Sequence, residues 1–442
     1  MLQNKPLETK LLSSLTKVFA DEDLKAESWT KGSMFKNEVY SFQLAYYWEN
    51  IMLKQVRVRV VSELEPWITV RKVELIPSEI TRYADYDDNV LRTAPGLYPD
   101  CLVPIDEEGL TLLPWQWRSL WVTIDPKAQV EAGNYPIELI FETNSGEELG
   151  KETFTIEVID CLLPEQNLIF TQWFHTDCLA TWYDLEVFSE EHWKRIEQFI
   201  ETAVNNGINM ILTPLFTPPL DTQVGGERPT VQLVDVEKSG DTYKFGFDKL
   251  KRWVDMCRDK GVKYFEFSHL FTQWGAKHAP KIMAVEDGEL RQIFGWNTDA
   301  SGEEYRCFLD QFLPELIGFI NEHGLQDVSF FHVSDEPSLE HIESYKSASE
   351  ILDKHLAEFP VIDALSNYEF YEAGLVKHPI PANNHIDAFL ENNVPDLWTY
   401  YCCSQHKDVS NRFFNMPSAR NRILGIQLYK FNIVGFLHWG YN

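Results

Sequence analysis

Long apolar runs, paired cysteines and positive charge are what this sequence has little of. No uncharged apolar stretch reaches the roughly 18 residues needed to cross a membrane, so a membrane-embedded chain is not expected. The opening Met1-Leu-Gln-Asn-Lys-Pro6 has no apolar leader core, from which a cytoplasmic location is expected. The seven cysteines, at positions 101, 161, 178, 257, 307, 402 and 403, are odd in number and form no Cys-x-x-Cys. That spacing argues for free thiols, and against a disulfide framework or a cysteine-based zinc site. Basic residues are outnumbered, 39 against 68 acidic, and the formal net charge is −29. A field of that sign repels polyanions, so neither nucleic acid nor an anionic membrane is an expected partner. A small neutral or cationic molecule fits better.

Aromatic residues are plentiful instead, at 14% of the chain with 14 tryptophans. Most belong to cores, but aromatic faces also grip the apolar faces of sugar rings. At 442 residues the chain exceeds one ordinary core, and two domains are expected.

Its patterning changes near residue 160. Up to there, segments such as Glu38–Tyr46, Gln55–Val61 and Phe154–Ile159 alternate apolar with polar residues between Gly, Pro, Asn and Asp turn signals. Period two without helical period is the signature of an antiparallel β-sandwich, expected over 1–160. Beyond it, amphipathic helices alternate with short apolar strands. Ser189 followed by Glu190 and Glu191 reads as a helix start, Trp193, Ile196, Ile200 and Ala203 recur at helical spacing, and Gly207 reads as the stop. Strands expected near 167–174, 210–216, 264–271, 328–334, 361–367, 397–402 and 434–439 spell a TIM-type (β/α) barrel over 161–442. Only seven strands are counted, so the barrel is expected to lack its last one, as a C-terminally truncated chain would, or to close irregularly.

The most informative segment closes the fourth of these strands: Val328-Ser-Phe-Phe-His-Val-Ser-Asp-Glu-Pro337. Two adjacent carboxylates, Asp335 and Glu336, stand where barrel enzymes place their chemistry. Like charges that close are costly, because each raises the other's pKa. Pro337 is expected to hold Glu336 in extended backbone geometry. Taken alone, the pair could simply cap the next helix.

The other strand ends tip the balance. They supply Trp173, His175 and Asp177; Thr217 to Thr222; His269 and Trp274; His332; Asn367; Tyr400 and Tyr401; and His438 and Trp439. Each histidine could equally be a satisfied, partly buried one. His175, His269, His332 and His438 with Asp177 also raise a metal reading. The spacing argues against it, with no His-Glu-x-x-His and no cysteine ligand set, so neither metal nor cofactor is expected. The seventh strand end carries no carboxylate, whereas an ordinary retaining glycosidase needs an acid/base and a separate nucleophile about 5 Å away. An adjacent pair suits the substrate-assisted exception, in which the sugar's own acetamido oxygen attacks. Glu369 is the competing distant nucleophile.

Together, Phe331-His-Val-Ser-Asp-Glu-Pro337, Gln172-Trp-Phe-His-Thr-Asp177 and Leu437-His-Trp-Gly-Tyr-Asn442 resemble glycoside hydrolase family 123 and the related domain of unknown function 4091. Tyr98-Pro-Asp100 is similar to that pattern in the first half. The resemblance implies a β-sandwich followed by a (β/α) barrel, and a retaining, substrate-assisted hydrolase of β-linked N-acetylhexosaminides of the N-acetylgalactosaminide type. It implies Asp335 as the group orienting the acetamide and Glu336 as general acid/base. Tyr400 or Tyr401 and Trp439 are implied as sugar contacts. Such chains run on beyond the last motif seen here, which agrees with the expected missing strand. Two other readings remain: a hydrolase for sugars lacking the acetamido group, and a non-catalytic carbohydrate-binding protein.

Overall fold

The structure is a computed structural model and describes residues 5–220 and 222–442. Met1–Asn4, in the segment read for a leader, and Asp221, in the tail of the second strand, lie outside the described residues. The chain divides into two compact units, residues 1–165 with 406–424, and residues 166–405 with 425–442. The segment 406–424, assigned from sequence to the second domain, thus belongs to the first unit. Arg420 pairs with Asp87 at 2.9 Å there, and the Lys17 ammonium donates to the Phe414 carbonyl at 2.7 Å.

The first unit holds two five-stranded sheets. One is antiparallel throughout; the other is antiparallel except where Lys31–Phe35 runs parallel to Glu148–Ile159. Their inward residues form one core. Phe42 of one sheet stacks on Phe154 of the other with ring centroids 3.9 Å apart, amid Leu44, Leu120, Leu139 and Ile156. The alternation seen in the sequence is this inward and outward alternation.

Among the described residues of the second unit, eight short parallel strands curl into a TIM-like barrel. They are β1 (Ile169–Gln172), β2 (Met210–Thr213), β3 (Tyr264–Phe267), β4 (Ser329–Phe330), β5 (Ile362–Ala364), β6 (His378–Ile380), β7 (Trp398–Tyr400) and β8 (Gly435–His438). Ladders join β4-β3-β2-β1-β8-β7 and, separately, β5-β6. Single parallel bridges, Phe331 to Val361 and Ala382 to Tyr400, complete the circuit. The expectation of seven strands is therefore corrected. The eighth parallel strand is β6, and the strands expected as sixth and seventh are β7 and β8. It was hidden because it is three residues long and contains Pro379, which lacks the N–H a central strand uses.

Helices Glu190–Asn205, Asp248–Lys260, Glu303–Glu322 and Ile342–Leu356 lie between the strands. Ser189 caps the first, its hydroxyl accepting the His192 N–H at 3.3 Å. Gly207 and Gly261 end the first two with φ of +88° and +98°, angles glycine adopts without strain. Two hairpins the periodicity did not reveal, Asp235–Gly246 and Ile282–Phe294, pair into a four-stranded sheet. Among the described residues no helix is long and apolar enough to cross a membrane.

Candidate active site

Parallel strands with right-handed crossovers send all their C-terminal ends to one face, and there the barrel opens into a cleft of about 290 Å³. Trp173 reaches it from β1, Trp274 from the segment after β3, Asp335 and Glu336 from beyond β4, Tyr400 from β7 and Trp439 from beyond β8. Gln223, Gln273, Cys402 and Cys403 complete its wall with Ala364, Leu437 and Thr222. Three indole rings and a few polar groups around two carboxylates form a site suited to a sugar ring.

The turn bearing the carboxylates is held from three sides. The Trp274 N–H donates to the Asp335 carbonyl at 2.8 Å, the Glu336 N–H to the Ala364 carbonyl at 3.0 Å, and the Ser334 hydroxyl to the Thr272 carbonyl at 2.8 Å. Glu336 has φ +43°, in the left-handed region. The extended geometry expected from Pro337 is thus corrected: the backbone contacts outweigh the proline's preference, and the strain falls at the carboxylate itself. The Tyr400 hydroxyl donates to Glu336 Oε1 at 2.5 Å. Burial, the Glu336 charge and that bond push the phenol well above its ordinary pKa, so it stays a donor. Among the described residues, Asp335 and Glu336 are the only carboxylates lining the cleft.

Behind this wall lies a buried ionic chain. Glu266, fully buried on β3, accepts from the Thr171 hydroxyl at 2.5 Å and the Trp173 indole N–H at 2.7 Å. His332 Nε2 meets Glu266 Oε1 at 2.7 Å, and its Nδ1 meets Asp363 Oδ1 at 3.3 Å. Burial alone would lower this imidazole. Hydrogen bonds to Asp363 and Glu266 and the charges of both outweigh it, and hold the group up at about 9. His332 is therefore an imidazolium at neutral pH. His269 stacks on it with centroids 4.1 Å apart and is held well below the usual histidine range by burial and by that charge. Asp363 also accepts from the Tyr345 hydroxyl and from the Val333 N–H at 3.1 Å. His269, His332 and Asp363 are close enough to suggest a metal cluster, with candidate ligand atoms within 4.8 Å. The donor set does not fit one, because both nitrogens of His332 already face carboxylates, Glu266 and Asp363.

Residues 173–442 match the family model described as "Glycoside hydrolase 123, catalytic domain". The chain belongs to glycoside hydrolase family 123. A family 123 glycoside hydrolase from Clostridium perfringens superposes with a TM-score of 0.77 at 14% identity, covering 98% of this chain and 78% of that one. A putative β-galactosidase from Bacteroides fragilis aligns over 97% of this chain and 55% of its own at 9% identity, with a TM-score of 0.32. No curated protein matches the chain.

Within this family 123 enzyme the residues expected at the site separate into two groups. Trp173, Trp274, Asp335, Glu336, Tyr400 and Trp439 meet in the cleft. His269 and His332 do not line it: both are buried in the layer behind, with Glu266 and Asp363. The two tyrosines also part company, and Tyr401 packs on Phe436 and His438 instead. His438, largely buried, stacks on Trp439 from outside the cleft wall. His175 is buried at the start of helix Thr176–Trp182, and its backbone N–H and carbonyl both pair with the Asn442 side chain, at 2.9 and 3.0 Å. Asp177 is held by Arg228 in two bonds of 3.0 and 3.1 Å. Asn367 is half-buried in the turn before helix Glu369–Glu372, where its carbonyl accepts the Phe370 N–H. Glu369 is exposed on that helix and is not part of the lining.

Sequence reasoning missed Glu266, Asp363, Gln223 and Gln273. A signal existed for the first two. Each is a lone carboxylate inside an apolar strand, in Tyr264-Phe-Glu-Phe267 and Val361-Ile-Asp-Ala-Leu365, where burial demands a partner.

Proposed function

We propose that this glycoside hydrolase cleaves β-linked N-acetylhexosaminides of the galacto configuration with retention, the substrate's own acetamido oxygen acting as nucleophile. The observation that carries the reading is the carboxylate census. Ordinary retention needs a second carboxylate about 5 Å from the acid. Among the described residues the cleft offers only the adjacent pair, while Glu266 and Asp363 are buried and committed to His332.

In this scheme Glu336 gives its proton to the leaving oxygen and later takes one from water. Asp335 orients the amide and stabilises the positive charge that develops as the ring closes. Tyr400 fixes the Glu336 carboxylate, and the indoles of Trp173, Trp274 and Trp439 hold the sugar face. We read the two units as a β-sandwich and a (β/α) barrel catalytic domain, a reading supported by the shared core of the first and the eight parallel strands of the second. The Clostridium perfringens relative is described for glycolipid glycan hydrolysis. A glycan of that kind is the natural substrate class we propose here.

The test is a panel of nitrophenyl glycosides with and without a 2-acetamido group. Turnover confined to the acetamido sugars is expected. Equal turnover of the plain galactoside overturns the reading and returns the choice to a hydrolase with a protein nucleophile.

A further inference from the structure

Trp173 is 98% buried yet lines the cleft, so one edge of its ring meets substrate while the rest is packed. Its single polar atom is committed to Glu266, a carboxylate with no surface of its own. An unbalanced carboxylate in that position would be prohibitively costly. The balance comes from His332, which meets the same oxygen Oε1, at 2.7 Å. His332 is held in turn by Asp363, whose other contacts are the Tyr345 hydroxyl and the Val333 N–H. That last bond takes a backbone donor just before Asp335 out of the barrel ladder, where β4 and β5 share only a single bridge.

We infer that Glu266 is a positioning residue for the reaction: charge-balanced by His332, it fixes the Trp173 indole in the orientation that forms the cleft wall, and through His332 and Asp363 it couples that wall to the strand end carrying Asp335 and Glu336. The inference rests on the cleft being the active site. The groups facing His332 are Glu266 from β3, His269 from the segment after β3, Asp363 from β5, and the Trp173 ring edge-on from β1. Tyr345, from helix Ile342–Leu356, reaches it through Asp363. None of them is open to solvent, so the chain acts through geometry and does not exchange protons with substrate.

Two variants separate positioning from packing. Glu266→Gln keeps the shape, removes the charge and leaves His332 with one anionic partner, so the imidazole releases its proton at lower pH. KM on whichever aryl glycoside the wild type hydrolyses should rise about tenfold. It should rise further between pH 6 and 8, where the wild-type imidazole, held up at about 9, still keeps its proton and the wild-type KM should stay level. Trp173→Phe deletes the donor together with the five-membered ring that carries it, and should raise KM at least as much with no added pH dependence. Trp173→Ala is the control for the site: an unchanged KM there refutes the cleft as active site, a separate failure from that of Glu266. With that control positive, the inference is overturned if Glu266→Gln lowers kcat evenly at all pH with KM unmoved. Should Glu266→Gln not fold, a Trp173→Phe KM within about twofold of wild type overturns it equally.

Discussion

The Tyr400 hydroxyl lies 2.5 Å from Glu336 Oε1 and donates to it, while the next residue, Tyr401, turns its ring away onto Phe436 and His438. A short bond from a buried phenol fixes one rotamer of the carboxyl group it reaches. Tyr400→Phe should therefore lower kcat/KM by about 10- to 100-fold. Tyr401→Phe should stay within about threefold. Steady-state kinetics on an aryl glycoside checks both, and equal losses would contradict the assignment.

Glu336→Gln should lose about 100-fold or more on substrates with poor leaving groups, whose departure needs a proton, and less on activated aryl glycosides. Glu369→Gln should match wild type on both, since that side chain is exposed and outside the cleft lining. A large loss in Glu369→Gln would make it the nucleophile of the competing reading.

The His332 imidazole is raised in the folded protein to about 9, above its ordinary value near 6.5. A raised histidine stabilises fully below the unfolded pKa, and that contribution is lost as pH climbs through the folded one. Thermal stability should accordingly fall as pH rises from 6.5 to 9, by an amount on the order of 3 kcal/mol. In His332→Gln the slope in that window should vanish and stability should be lower throughout. A wild-type melting temperature flat across the window would refute the imidazolium.

Asp177, expected from sequence among the strand-end site residues, is buried and pairs with the part-buried Arg228. Arg228→Met strands that carboxylate and should cost about 3–5 kcal/mol of stability. The double change Arg228→Met with Asp177→Leu should recover most of it, because both charges are then gone. Chemical denaturation measures this, and no recovery in the double variant would show that the two do not act as a pair.

The sequence made the barrel's rhythm legible because long helices and apolar strands have strong periods. It concealed β6, whose three residues include a proline, and both inserted hairpins. Likewise it exposed Asp335 and Glu336, since two adjacent acids after an apolar run are conspicuous. What it could not resolve was facing. Tyr400 and Tyr401, or His332 and Asp335, differ by whether the side chain enters the cleft or the core, and that is set by strand register and by the turn at Glu336. Of the motif residues, Asn442 uses its side chain to pair with the His175 backbone, a role indistinguishable in sequence from ligand binding.

The most direct test of substrate assistance is the affinity of a thiazoline mimic of the cyclised N-acetylgalactosamine intermediate, set against that of plain N-acetylgalactosamine. Transition-state-like ligands bind at least about 100-fold more tightly than substrates or products. The account predicts an advantage of that order in wild type, largely lost in Asp335→Asn, where the orienting charge is gone. A thiazoline that binds no better than the plain sugar would contradict it.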